Sequence, residues 1–186
     1  APFAAFVGNF VSILVDDFET DMGWTVVTDP TLTGGEWERG VPADDGTAGD
    51  PLQDYDGSGQ CFLTENVLGN SDVDWGPTSM ISPLFDMSGY SDPVVRLAYW
   101  WANNDAGTDT ADPIDFEVSN DGGATWVLID SVIDVPTEWT PWEAHLADYV
   151  AITDQVQFRV TVNDTPNNSV YEAAIDAVEI FDVSCD

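Results

Sequence analysis

The stretch VQFRVTV, residues 156–162, places an apolar side chain at every second position: Val156, Phe158, Val160 and Val162 alternate with Gln157, Arg159 and Thr161. Successive side chains of an extended strand point to opposite faces, so the pattern reads as a strand with one dry and one wet face. Outward from it, short β-rich runs recur, each bounded by Gly, Pro, Asn or Asp. They predict strands at 10–15, 23–28, 35–40, 60–63, 78–81, 94–101, 115–119, 126–132, 140–145 and 174–181. One helical turn is expected, around 145–149. No short repeat or low-complexity linker interrupts the series. So many strands in 186 residues imply an all-β sandwich or barrel. Most of the eight tryptophans are expected between the sheets.

The charge narrows the partners. The 35 acidic residues face only three arginines and no lysine, for a net charge of -32. DNA, RNA and anionic membrane surfaces would meet like charge on approach and are poor partners. Such a chain repels itself, and salt relieves the strain: the Debye length falls from about 8 Å at 0.15 M to about 3 Å at 1 M. Bound divalent cations would relieve it too. A saline or calcium-containing medium outside a bacterial cell is the expected setting. Cys61 and Cys185 suit one disulfide of a secreted protein, although two free buried thiols would also fit. No apolar run reaches the eighteen or so residues of a membrane-spanning helix, so membrane insertion is not expected.

Candidate metal ligands lie in short, turn-rich acid clusters: Asp16, Asp17 and Glu19; Asn70, Asp72 and Asp74; Asp105, Asp109 and Asp112; and Asp176. Hard oxygen donors with no His or Cys beside them point to calcium rather than zinc or copper. The stretch Ser119–Trp126, S-x-D-x-G-x-T-W, predicts a hairpin. In it Asp121 ties the turn, the glycines allow positive φ, and Trp126 anchors the return strand in the core. Catalysis has little support: the single His145 lacks a nucleophile pattern around it, no G-x-S-x-G is present, and among 35 acids a pair of carboxylates near each other in sequence carries almost no weight. Asn163 and Asn167 each head a glycosylation sequon.

From Asp16 onward, six segments occur in order: DDFETDMGWTV, GEWERGVP, DPLQDYDGSGQCFLTEN, GNSDVDWGPTSMISPLFDMSGYSDPVVRLAYWW, DPIDFEVSNDGGATWVLID and EAAIDAVEIFDVSC. Together they resemble bacterial secreted domains with a MAM-like, concanavalin-type jelly roll. The resemblance implies a two-sheet antiparallel jelly-roll β-sandwich over residues 16–186. It also implies a calcium ion tying an acid near the first strand to one on the last, here Glu19 and Asp176, joined by Asp72 and Asp74. Such domains are variously assigned to carbohydrate binding, adhesion or surface display, and a fold does not fix function.

Residues 1–15 precede that domain start and carry no charge. Phe3, Phe6, Val7, Phe10, Val11 and Ile13 lead an apolar strip that must be covered, since burying each such side chain is worth about 1.5–3 kcal/mol. One home is the chain's own sandwich, as an edge strand. The other is a neighbouring copy, by strand donation, which builds a head-to-tail filament when rotation does not close. The expectation is the second: a structural subunit of an extracellular filament, with residues 1–15 as donor arm. The alternative is a calcium-stabilised carbohydrate-binding or adhesion module, with Trp37, Trp75, Trp100, Trp101, Trp139 or Trp142 stacking on sugar rings.

Overall fold

A computed structural model describes residues 9–43, 46–69, 71–104, 112–133, 137–166 and 169–184. The described residues form eleven strands. In chain order they are β1 (Asn9–Asp16), β2 (Thr25–Thr28), β3 (Trp37–Gly40), β4 (Cys61–Thr64), β5 (Trp75–Ile81), β6 (Pro93–Asn103), β7 (Ile114–Ser119), β8 (Val127–Val132), β9 (Thr140–His145), β10 (Gln157–Asp164) and β11 (Tyr171–Ser184). Each strand predicted from the sequence forms. The helical turn is a 3₁₀ turn, Leu146–Asp148.

Two antiparallel sheets face each other. One runs β3-β4-β11-β6-β9, with β1 also on β11; the other runs β2-β5-β10-β7-β8. Alternation decides what lies between them. Phe158, Val160 and Val162 of β10 are buried, and so are Tyr171, Ala173, Ile175, Val178 and Ile180 of β11. Small residues face large ones across β11 and β6: Ala173 is paired with Trp101 and Ala174 with Trp100. The small side chain leaves room for the indole opposite it, as cross-strand packing requires. β11 carries a bulge between Asp176 and Glu179, where Ala177 has φ 50°. The extra residue keeps Val178 and Ile180 facing inward beyond it.

The opening run takes the first of its two homes over its described half. β1 pairs with β11 of the same chain from Asn9↔Ser184 to Asp16↔Val178. The vacancy it fills is explained by β4, which pairs with β11 only at Ala174 and Ile175 and leaves the rest of that edge open. Leu14 is buried, Ile13 packs against the core, and the Phe10 ring lies 5.5 Å from that of Phe181. Phe10 and Val11 stay exposed. Here Phe10, Val11 and Ile13 belong to an edge strand of the chain's own sheet rather than to a donated arm. Phe3, Phe6 and Val7 lie outside the described residues.

The expected disulfide joins Cys61 to Cys185, which lies outside the described residues. Cys61 is fully buried one step past the Phe62–Ile175 pair, at the level of Asp176. Burial pushes the Cys61 thiol pKa far up, and the nearby Asp176 and Asp54 carboxylates push it further. The thiolate form is thereby suppressed.

The Ser119–Trp126 stretch makes the expected β7–β8 hairpin. Asp121 accepts hydrogen bonds from the Thr125 N–H at 2.8 Å, the Thr125 hydroxyl at 2.6 Å and the Ser119 hydroxyl at 2.8 Å. These bonds, those from Thr125 foremost, lower its pKa to about 2. Trp126 departs from expectation. It is half-buried on the outer face of the sheet, with the Arg159 guanidinium 4.4 Å above its ring. Arg159 is held in turn by Glu117, at 2.7 Å.

Candidate functional site

Residues 46–60 lie on the outer face of the β11 sheet as a strap, touching it at Trp100, Trp139 and Asp176. Two indoles beneath hold the strap down: the Trp100 N–H donates to the Gly49 carbonyl at 2.8 Å and the Trp139 N–H to the Gln53 carbonyl at 3.0 Å. Cys61, Leu63 and Ala174 complete a small apolar cluster with these two tryptophans.

At one end of the strap, acids converge. Asp54 and Asp56 of the strap and Asp176 of β11 bring ligand oxygens within 4.8 Å of one another. The local sequence DYDGSGQ explains the shape. Asp56 accepts the Ser58 N–H at 2.8 Å, Asp54 accepts the Gly59 N–H at 2.9 Å, and Gly57 and Gly59 take positive φ, which suits glycine. Asp176 is fully buried and accepts N–H groups from Tyr55 at 2.7 Å, Asp56 at 3.3 Å and Ala177 at 2.7 Å. Burial raises its pKa to about 6, with the Asp56 charge adding to the rise. None of the three arginines bonds to these carboxylates: Arg39 reaches the Phe18 carbonyl and Gln60, Arg96 pairs with Glu143 and Glu179, and Arg159 with Glu117. Two buried carboxylates and one at the rim, all hard oxygen donors with no arginine partner among the described residues, fit the calcium ion that the sequence resemblance implies. Asp54, Asp56 and Asp176 would hold it.

The four ligands expected from the sequence divide between two places. Glu19 sits beside Asp176's site, accepting the Gln60 N–H at 2.6 Å. Asp72 and Asp74 do not join it. The Val73 N–H donates to the Tyr171 carbonyl, five residues along β11 from Asp176. Asp74 forms a bridge with Gly34. Asp54 and Asp56 escaped the sequence reading because, among 35 acids, nearness in sequence carries little information. The signal available was the Asp-x-Asp-Gly-x-Gly turn itself. Asp112 lies apart as well, beside Ser169 at 3.3 Å, while Asn70, Asp105 and Asp109 lie outside the described residues.

A cleft of about 360 Å³ opens at the edge of the sandwich, beside β2, β3 and the loop joining them. Thr28, Thr33, Glu36, Glu38 and Glu65 give it a rim of hydroxyls and carboxylates. Gly34 and Gly35 let the loop lie flat on its neighbour: a Cβ on Gly35 would fall 2.3 Å from the Val73 Cα. Glu65 accepts the Gly35 N–H at 2.9 Å.

The tryptophans expected to stack on sugars are mostly spent on the fold. Trp37 and Trp101 are buried, Trp142 stacks on Phe116 at 4.3 Å, and Trp100 and Trp139 lie under the strap. Trp75 stays open, 42% exposed, between two residues that bond to the cleft loop: Thr33 N–H to the Asp74 carbonyl and the Thr31 hydroxyl to the Gly76 carbonyl. Asn163 is half-buried at the end of β10, with the Thr165 hydroxyl donating to its side chain; Asn167 lies outside the described residues.

The sequence matches no protein-family model and no curated protein. Its likeness is to solved structures. A cleaved adhesin domain, K1, of the Lys-gingipain of Porphyromonas gingivalis W83 superposes with a TM-score of 0.53 at 13% identity, covering 93% of this chain and 98% of that one. The likeness is one of fold, a two-sheet antiparallel β-sandwich. Two further structures share it, both from Clostridium thermocellum. The family 11 carbohydrate-binding module of a cellulosomal cellulase gives a TM-score of 0.51 at 10% identity, covering 95% of each chain. The C-terminal family 22 module of a xylanase gives 0.51 at 12%, covering 100% of this chain and 99% of that one. Among the described residues, no helix is long and apolar enough to cross a membrane.

Proposed function

We propose that this chain is a non-catalytic carbohydrate-binding or adhesion module, stabilised by calcium and working outside the cell. The observation that carries the reading is the hydroxyl- and carboxylate-rimmed cleft beside β2 and β3, set in a sandwich shared with carbohydrate-binding modules. Sugar hydroxyls both donate and accept, and carboxylates, threonine hydroxyls and backbone groups are the partners that orient them in such sites. Trp75, beside the cleft loop, offers the one open indole among the tryptophans considered for stacking. Calcium at Asp54, Asp56 and Asp176 would fix the strap and the last strand. The filament reading loses its main support, because the described half of the opening run pairs with its own β11.

The test is affinity electrophoresis of the full chain against a panel of soluble neutral polysaccharides, with calcium present. At least one polysaccharide should retard the protein. Glu36→Gln and Trp75→Ala should each weaken that retardation by about tenfold, the loss of roughly one good polar or stacking contact. No retardation by any polysaccharide, or retardation unchanged in both variants, sinks the cleft as a glycan site.

A further inference from the structure

Strand β1 leaves an edge of the larger sheet open. Among the described residues it pairs only with β11, so no strand lies along its far side. Alternate residues of such an edge strand turn their N–H and C=O groups away from the one partner, and the row they form is a template for another chain. Proteins blunt open edges with charges, prolines or bulges. Residues 9–15, NFVSILV, hold no charge and no proline, in a chain with 35 acids. The one interruption is the bulge between Ser12 and Leu14. Asp16, the first acid after them, is buried and turned inward, accepting the Phe18 N–H at 2.9 Å and the Trp24 indole N–H at 2.8 Å. The side chains along the edge are apolar and open: Phe10 is 70% exposed, Val11 40% and Val15 64%. Phe10 and Val15 also line a shallow hollow of about 200 Å³ with Ile180, Phe181 and Arg96. The Arg96 guanidinium there is already engaged, lying 4.8 Å over the Phe181 ring and bonding to Glu143 at 2.8 Å.

We infer that β1 pairs antiparallel with β1 of a second copy of this chain, across a two-fold axis near Ser12, and so joins two larger sheets into one. The edge is complementary to itself. A two-fold at Ser12 sets Phe10 of one copy against the Leu14–Val15 step of the other, and the reverse, so that each exposed ring covers an exposed valine. Charge also selects a copy over another partner. A cationic protein is drawn to acidic surface and gains nothing from an uncharged strip. A second chain of charge -32 is repelled by acidic surface and meets least repulsion where both copies carry no charge. The pair closes on itself, unlike a donated arm, which propagates. The inference stands apart from the glycan reading, although two clefts on one particle would add avidity to it.

The test is sedimentation equilibrium of the full chain over about a hundredfold range of concentration, at low salt and at about 1 M NaCl, where the Debye length is about 3 Å. A mass of two chains of 20.2 kDa is expected, with dissociation about tenfold weaker at high salt as repulsion is screened. Phe10→Glu and Val15→Glu set like charges across the axis, and each should raise the dissociation constant by about tenfold or more. Both positions are exposed, so the fold survives the change. Leu128→Glu, at an exposed position on β8 of the other sheet, adds the same charge and should leave the constant unchanged. A monomer under every condition overturns the inference. So does a dimer that Phe10→Glu and Val15→Glu leave intact, or one that Leu128→Glu weakens equally. A mass that keeps growing with concentration overturns the two-fold and means a head-to-tail contact instead.

Discussion

Asp164 puts a carboxyl where solvent does not reach. It ends β10, is fully buried, and accepts the Ser169 N–H at 3.0 Å and hydroxyl at 2.9 Å, with Asp112 alongside. Burial is the first cause that raises its pKa to about 7; the Ser169 bonds pull the other way, and the Asp112 charge adds to the rise. Tyr171 and Asp115 face the same pocket of charge. The sign follows by linkage. Between about 3.8 and 7 the unfolded chain has lost this proton and the folded chain still holds it, so folding binds a proton and stability falls as pH rises. Urea unfolding midpoints should therefore drop from pH 5 to pH 8, and Asp164→Asn should flatten that drop. An unchanged slope in the variant would mean that the burden lies elsewhere. Residue by residue, acids were the least legible feature of the sequence. Asp176 was reachable by resemblance. Glu172, also buried on β11, was legible only as an acid four positions before Asp176 in an otherwise apolar strand, YEAAIDAVEI, which puts both on one face once the strand is known.

At the scale of elements the strands were legible because their alternation is physical. The VQFRVTV pattern buries Phe158, Val160 and Val162 and leaves Arg159 and Thr161 outside, as its period requires. The fate of β1 was not legible, since its pattern is equally consistent with either home. What decides it is the length of β4, four residues against the fourteen of β11, a mismatch visible only in the assembled sheet. The strap was hidden for a different reason. It has no periodicity, and what holds it is donated from β6 and from the loop before β9, far away in sequence. Trp100 and Trp139 supply one indole hydrogen bond each. Trp100→Phe and Trp139→Phe keep much of the ring area and remove the donor. Each should cost about 1 kcal/mol, the net worth of a hydrogen bond. Limited proteolysis should then cut within residues 46–60 faster than in the parent protein, while cleavage elsewhere keeps its rate. Equal rates across the chain would mean that the strap is held by its acids alone.

For the whole molecule, the charge of -32 sets the conditions under which every other interaction operates. Two kinds of cation effect are separable. Monovalent salt screens repulsion between exposed acids without choosing a place, and its effect levels off once the Debye length drops to a few ångströms. A calcium ion at Asp54, Asp56 and Asp176 acts by mass action on the folded state alone, adding about 2.7 kcal/mol when calcium stands a hundredfold above its dissociation constant. In a domain of this size each kcal/mol moves the melting temperature by about 2–4 °C. Calcium at a hundredfold excess should therefore raise Tm by about 5–11 °C over chelated protein at the same ionic strength, and Asp176→Asn should lose most of that rise. Sodium chloride from 0.05 to 1 M should also raise Tm, but equally in the parent and in Asp176→Asn. If calcium and sodium chloride of matched ionic strength give the same Tm in both proteins, the acids bind nothing in particular. The strap would then rest on Trp100, Trp139 and protons.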